Sequence, residues 1–600
     1  MKTKNWILLL GTVLYMYLFY KQNAGINTLV YALLTGTGFV YARPGANKSA
    51  SWWMVAILHI YSAICVFIHN SDLALMGYVF TLLAWSALTF NPYFSIIPGL
   101  LASLKSVVGA PFYWIRNLYR NRAQFMTLGG SVRGKSVLTI LIPLVIAFLF
   151  FFLYKQANPL FNEYTRMIQL DFLTVQWVFF LVLSFFVTYG LLNHQPLQGF
   201  NRWELALPAR LSPSETKEAG FNEYRAFLLL LVLLNAMLVF INLLDVQYLY
   251  LGAGMPAGLT HKAFVHKGVD NLVLSIALGI SVLLFFFRSG LNFHPRGALL
   301  RNLAYVWMAQ NLLMMVSTAM RNQLYIDAAL LTYKRIGVYY WLFFAAAGLI
   351  FTAIKVKKLK PAWYLMREGA RLSMLVLVLS GSIDWDLMIT RYNLNHSDQL
   401  ASLDKKYLLS LASSNLPELY SIRNKEGFNV DSSYSYRYYG GTSNVAVLDK
   451  KAFYCLGNDS TGWQSYGLRN EQIKRDIQGL IASGALDSLD LSALYYYGLK
   501  RLKHIPGLKA LVLDESILYD SVHCKTLAEL PNLKTISFTA LSRYSAKFLN
   551  QLKHIPTIRI LKVLEYGTLD TAFKYNPVSK IVCIDTLSAY YKKMPISKNP

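Results

Sequence analysis

The chain has 600 residues, 55% of them hydrophobic and only 15% charged, where ordinary globular domains carry about 25% charged residues. Its apolar residues gather in runs that reach the roughly 20 residues needed to cross a hydrocarbon core of about 30 Å, which excludes a wholly soluble protein. The net charge of +27 does not imply nucleic acid: 31 basic and 13 acidic residues lie in the first 390, mostly in loops between apolar runs, and the 27 and 18 that follow are scattered. The expected partner is therefore the lipid bilayer, with no nucleic acid.

The N-terminus, MKTKNWILLLGTVLYMYLFY, has the basic start and apolar run of a signal peptide. No small-residue cleavage site follows, so it reads as the first transmembrane helix. Eleven spans are expected at about 5–21, 25–42, 51–69, 73–91, 136–154, 172–193, 226–246, 271–288, 301–320, 338–356 and 372–389. Residues 116–135 carry Arg116, Arg120, Arg122, Arg133 and Lys135, and residues 195–225 carry Arg202, Arg210, Lys217 and Arg225. Arg296 lies in 289–300 with Arg288 and Arg301 at its edges, and 355–371 holds Lys355, Lys357, Lys358, Lys360, Arg367 and Arg371. These are every second loop. The positive-inside rule makes them cytoplasmic, which puts the N-terminus inside and the tail outside. Residues 92–115 are apolar enough to span, but Pro92, Pro98, Pro111 and the central Lys105 argue for a re-entrant or interfacial helix.

From residue 391 no run is long enough to cross. LDKKYLLSLASSNLPELYSI reads as a helical hairpin, and DSSYSYRYYGGTSN as a turn or loop. The string LKHIP then occurs twice, at 502–506 and 552–556, with PNLKTISF midway. Aligned units start at Gly484, Pro506, Pro531, Pro556 and Pro577. Two, five and seven residues after each start stand Leu486, Leu489, Leu491; Leu508, Leu511, Leu513; Leu533, Ile536, Phe538; Ile558, Leu561, Val563; and Ser579, Val582, Ile584. All but Ser579 are apolar. This LxxLxL pattern looks like a leucine-rich repeat lacking its usual Asn, with a strand and a returning helix in each unit. The expected fold is an α-helical polytopic membrane bundle of about eleven transmembrane helices, followed by a C-terminal α/β leucine-rich-repeat-like solenoid.

There is no GxxxxGK[ST], HExxH or GxSxG motif, and no metal-ligand spacing of Cys or His. No catalytic residue, metal or cofactor is assigned. Cys65 lies in an apolar run, and Cys455, Cys524 and Cys583 allow at most one disulfide in the tail. Polar residues at membrane depth are Asn235, Asn242, Asp245, Gln310, Asn311, Asp384 and Asp386. The plain reading is that the amides bond neighbouring helices and the acids reach interfacial water. In the outer loops 247–270 and 321–337, Gln247, His261, His266, Arg321, Asp327, Lys334 and Arg335 join Asp245 as candidates to line an outward-facing polar cleft. Such a cleft suits an anionic headgroup or a glycan phosphate. Interfacial helices with Tyr anchors and snorkelling cations would explain the same residues.

The words ANPLFNE, AFVHKGVDNLVLSIALGI, AMRNQLYIDAALLTYKRIGVYYWLF, IDWDLMITRYNLN, LDKKYLLSLA and GWQSYGL follow in order between about 155 and 470. They resemble a bacterial polytopic inner-membrane family known only as a domain of unknown function, the four-one-five-three and four-one-seven-three group. The resemblance implies a multi-pass protein of the bacterial inner membrane and brings no activity. The domains expected are N-terminal transmembrane helices at 1–135, the family's transmembrane core at 136–390, an extracytoplasmic linker at 391–483, and the repeat-like domain at 484–600. With the tail periplasmic, the leading functional reading is an envelope sensor or interaction protein whose repeats bind an extracytoplasmic partner. A transporter or lipid-linked transferase using the outer cleft is the alternative, and a structural scaffold the third.

Overall fold

A hydrocarbon core offers the backbone no hydrogen bonds, so a chain that crosses it satisfies its own N–H and C=O groups, and helices do this locally. In the computed structural model the chain is mostly helical. It has α1 (Thr3–Phe19), α2 (Ile26–Ala42), α3 (Ala50–His69), α4 (Asp72–Phe90), α5 (Ile96–Val108), α6 (Ala110–Thr127), α7 (Pro159–Arg166), α8 (Val175–Leu192), α9 (Gln198–Ala206), α10 (Phe221–Asp245), α11 (His261–Phe286), α12 (Gly297–Ala329), α13 (Tyr333–Lys357) and α14 (Trp363–Ser380). After these come α15 (Trp385–His396), α16 (Lys405–Ser410), α17 (Leu416–Tyr420), α18 (Asn444–Leu456), α19 (Leu468–Ala482) and five short strands. The structure describes residues 3–43, 49–91, 95–127, 147, 150, 151, 154, 155, 157–166, 174–213, 221–247, 261–287, 290–397, 403–425, 428, 443–456, 462–492, 494, 499, 502, 505, 507–514, 526, 527, 529–538, 560–563 and 582–585. Two compact units emerge: Met1–Ile383 with Trp463–Ser465, and Asp384–Gly462 with Tyr466–Pro600.

Among the described residues, six helices of the first unit are long and apolar enough to cross a membrane: α3, α4, α8, α10, α12 and α13. The number rises to eight if each of two bent helix pairs is one span. Their outward faces suit lipid: α10 exposes Leu229, Leu233, Phe240 and Leu243, each more than half accessible, a surface that water would not tolerate on this scale. The chain is a transmembrane protein. One bent pair, α5 with the first half of α6, turns by 67° between Val108 and Ala110, within the stretch 92–115 that reads as a re-entrant or interfacial helix. The expected span 136–154 falls almost wholly outside the described residues.

Several helix ends depart from the sequence reading. α12 continues to Ala329 and α11 starts at His261, so Arg321, Asp327, His261 and His266 are helical and not in loops. The segment RNQLYIDAALL contains neither Gly nor Pro, and its good helix formers carry the helix past the end of the apolar run. In place of an even span at 372–389, α14 starts nine residues earlier and stops at Ser380, and α15 starts at Trp385.

In the first unit, α1 to α5, α8 and α14 pack around Phe39, Trp52, Trp85, Leu191 and Met374, with Leu18, Tyr31 and Val66 in an adjoining cluster. A second core, built on α10 to α13, holds Phe227, Leu231, Ile276, Leu283, Trp307 and Leu349. Small residues set how closely helices approach. A Cβ on Gly190 of α8 would lie 2.5 Å from Val107 Cα and 2.8 Å from the Ser106 carbonyl oxygen of α5. Gly369 has nothing within 4 Å of its virtual Cβ. Thermal melting in detergent is therefore expected to show Gly190→Ala destabilised by about 1–3 kcal/mol, with Gly369→Ala close to the parent.

In the second unit the repeats form a parallel sheet in chain order: β1 (Ser488–Asp490), β2 (Ala510–Leu513), β3 (Thr535–Phe538), β4 (Ile560–Val563) and β5 (Val582–Asp585). The register runs Leu489, Leu511, Ile536, Leu561, Cys583. The first four are the residues that the repeat alignment matches. In β5 the alignment matches Val582 with Leu561, but the structure pairs Cys583 there, a slip of one residue. That fifth unit is also the one with Ser579 in an apolar place, so its pattern defined the register weakly. Leu486, Leu489, Leu491, Leu508, Leu511, Leu513, Leu533 and Ile536 are all at most 2% exposed.

One carboxylate ties the helices of this unit to the first strand. Asp449 of α18, fully buried, accepts hydrogen bonds from Tyr420 Oη at 3.0 Å, from Arg423 Nε at 3.0 Å and Nη2 at 2.5 Å, and from the Asp490 N–H at 2.7 Å. Arg423 also donates to the Ser488 carbonyl at 3.0 Å. Burial pushes the Asp449 carboxyl above its ordinary value, and the Arg423 guanidinium offsets part of that. For Arg423 burial acts downward, but the bonds and charge of Asp449 outweigh it and the guanidinium is raised. Asp449→Ala leaves that cation buried without its counter-ion, an expected loss of about 3–5 kcal/mol. Pulse proteolysis of the full chain in urea checks this, and replacing Arg423 and Asp449 together by Leu should recover part of the loss.

Candidate functional site

The polar residues expected at membrane depth, with Asp245 and Arg321 of the expected outer cleft, form a seam between α10 and α12. Asn235, Asn242 and Asp245 lie seven and three residues apart, which keeps them on one face of α10. Asn235 Nδ2 donates to its own helix at Leu231 O, 2.7 Å, and across the seam to Leu303 O, 3.2 Å. Gln310 Nε2 donates to Asn235 Oδ1 at 2.8 Å, and Asn242 Nδ2 reaches the Gln310 carbonyl at 3.3 Å. At the end of the ladder Arg321 forms an ion pair with Asp245. The three α10 residues are at most 8% exposed. Asn311, also expected to bridge helices, instead donates to Trp307 O within α12 at 2.8 Å.

The other expected cleft residues have separate environments. Arg335, in the first turn of α13, donates to the Ala329 and Leu330 carbonyls at the end of α12 and stacks its guanidinium 4.2 Å from the Tyr325 ring centre. It thereby satisfies carbonyls that the helix end leaves open, next to Leu330, whose φ of 65° is unusual for a branched residue. Asp327 accepts from Gln323 at 2.8 Å, one turn back. Gln247 and Lys334 are exposed. His261 and His266 are placed by backbone at the start of α11, and their side chains lie outside the described residues. Of the eight, then, only Asp245 and Arg321 are brought together by a described side-chain bond.

Among the buried polar residues that the sequence reading did not single out are Lys355, Asn322 and His59. Lys355, counted there as a loop cation, ends α13 at 1% exposed and donates to the Phe287 carbonyl, which Asn292 Nδ2 also reaches at 2.7 Å. Its place at the close of the run AAAGLIFTAIK was the available signal. Asn322, 1% exposed, donates to the Arg335 carbonyl at 3.0 Å. His59 lies at 0% exposure between α3 and α4. In the second unit Asp384 caps α15 through the Leu387 N–H at 3.1 Å, accepts from Ser414 Oγ at 2.7 Å, and lies 3.2 Å from Arg469 Nε. In that trio the Asp384 carboxylate is taken up by a helix cap and an ion pair.

Among the described residues no group of three or more His, Cys, Asp or Glu could hold a metal ion. The arrangement on α10 and α12 is suited to holding helices in register: every described donor amide on the seam already has an acceptor. No curated protein and no solved structure matches the chain. A family model described as Domain of unknown function (DUF4153) matches residues 29–422. The match starts well before residue 155, so α3 to α6 belong to the shared part as well, and it stops before the strands. With well over half its length matched, including the Asp245–Arg321 seam, the chain belongs to the DUF4153 family.

Proposed function

We propose that this protein is an envelope sensor or interaction protein of the bacterial inner membrane, which binds an extracytoplasmic partner through its C-terminal unit. The strand ladder carries the reading. Parallel strands recurring at 22, 25, 25 and 22 residues in register, with the described LxxLxL residues of the first three buried, are what a leucine-rich-repeat-like solenoid requires. Alternation along each strand leaves Ser488, Ala510 and Thr535 on the opposite face, all partly exposed. Such a row suits recognition and offers no catalytic group. In this reading eleven spans anchor the protein, with the N-terminus cytoplasmic and the tail periplasmic, as the basic loops require.

A second reading, a transporter or lipid-linked transferase, draws on the buried Asp245–Arg321 pair, because ionised groups at membrane depth often mark a working site. The pairing of Asp245 and the capping by Arg335 weigh against it, since both side chains already have structural bonds.

Two measurements separate these readings. An epitope tag after Pro600 should be cleaved by protease added to intact spheroplasts; protection until lysis would put the tail in the cytoplasm and end the periplasmic proposal. Thr535→Arg should lower in vivo photocrosslinking of a partner to the C-terminal unit at least about tenfold while leaving Asp245→Asn cells able to capture it. The reverse pattern, capture lost with Asp245→Asn and kept with Thr535→Arg, would favour the transport reading.

A further inference from the structure

α3 and α4 of the first unit bury a polar cluster that no helix contact explains. On α4, Tyr78, Thr81 and Trp85 stand three and four residues apart and share the face toward α3, where His59 and Ser62 lie. Tyr78, Trp85 and His59 are 5%, 3% and 0% exposed. The His59 ring centre is 4.7 Å from that of Tyr78 and 5.5 Å from that of Trp85, with the planes splayed by 31° and 50°.

The protons of the cluster can be assigned. Thr81 Oγ1 lies 2.7 Å from the Gly77 carbonyl oxygen, a separation that two oxygens adopt only with a proton between them, so the hydroxyl donates there. Ser62 Oγ donates to the His59 carbonyl at 2.8 Å. Thr81 Oγ1 therefore accepts from His59 Nδ1, 3.0 Å away, which makes Nδ1 the protonated nitrogen and leaves Nε2 with a lone pair. His59 Nε2, Tyr78 Oη and Trp85 Nε1 are all buried and have no hydrogen-bond partner among the described residues.

The set consists of one acceptor and two donors on three rings, with His59 against each of the other two. Leaving three such groups dry in an apolar interior would be costly, and buried polar groups are nearly always satisfied by protein or ordered water. We infer that this cluster is a binding site for one ordered water molecule, which donates to His59 Nε2 and accepts from Tyr78 Oη and Trp85 Nε1. A water held by three bonds is typical of conserved internal sites. Here it would join α3 to α4 through groups that make no bond to one another.

The sign of one substitution tests this. If Tyr78 Oη bonds the water, Tyr78→Phe removes a bond and lowers the melting temperature of the full-length protein in detergent by about 1–3 °C. If the hydroxyl is unpaired, the same change removes a desolvation penalty and leaves the melting temperature equal or higher, which overturns the inference. A shared water also couples the residues, so the effect of Tyr78→Phe should shrink in a His59→Leu background; undiminished loss there counts against the site. Density for a water bonded to His59 Nε2, in a map that resolves ordered waters elsewhere in the bundle, supports the site, and its absence from such a map refutes it.

Discussion

The pairing of Asp245 with Arg321 sets the arrangement of the second helical core. Inside a membrane the apolar surfaces of helices gain little by meeting, because lipid tails solvate them equally well. Selection among alternative packings falls to close fit and to polar groups that cannot be left alone. Along α10 and α12 those groups form a ladder from Asn235 to Asp245, and only one axial offset of the two helices satisfies it. Sliding either helix by a turn would strand two amides and two charges in a medium that penalises them heavily. The pair is thus better understood as fixing register than as adding net stability.

The same constraint explains the helix ends. Carbonyls at the end of α12 remain open, and Arg335 closes them from the next helix. At the end of α11 the Phe287 carbonyl is closed by Asn292 and by Lys355 from α13. Long cations that would snorkel if they faced lipid are here turned inward to helix termini. This gives Arg335 and Lys355 a structural role.

Periodicity and apolar length were visible in the sequence because both are properties of consecutive residues. Spans such as 25–42 and 51–69 lie within a residue of α2 and α3, and the register of β1 to β4 follows from the LxxLxL spacing alone. Helix extensions beyond the hydrocarbon length were not visible, since hydropathy ends where RNQLYIDAALL begins while helix propensity does not. That difference moved Arg321 and Asp327 from an imagined cleft rim onto a helix, where one meets Asp245 and the other its own turn. The partner of a buried charge is a long-range fact: nothing local to Asp449 or Arg423 reveals the strand at 488–490 that both meet.

That pair closes one end of the strand ladder. A stack of parallel strands has two open ends, and a repeat array needs a polar cap at each to remain soluble. At the first end, Asp449 receives the Asp490 N–H while Arg423 holds the Ser488 carbonyl, so α17 and α18 close the edge of β1 that would otherwise expose unpaired backbone. The helices that carry Tyr420 and Asp449 therefore belong with the strands in one compact unit, joined across residue 484 by the hydrogen bonds that a buried charge pair makes to Ser488 and Asp490. An edge sealed in this way cannot recruit a partner by adding a strand.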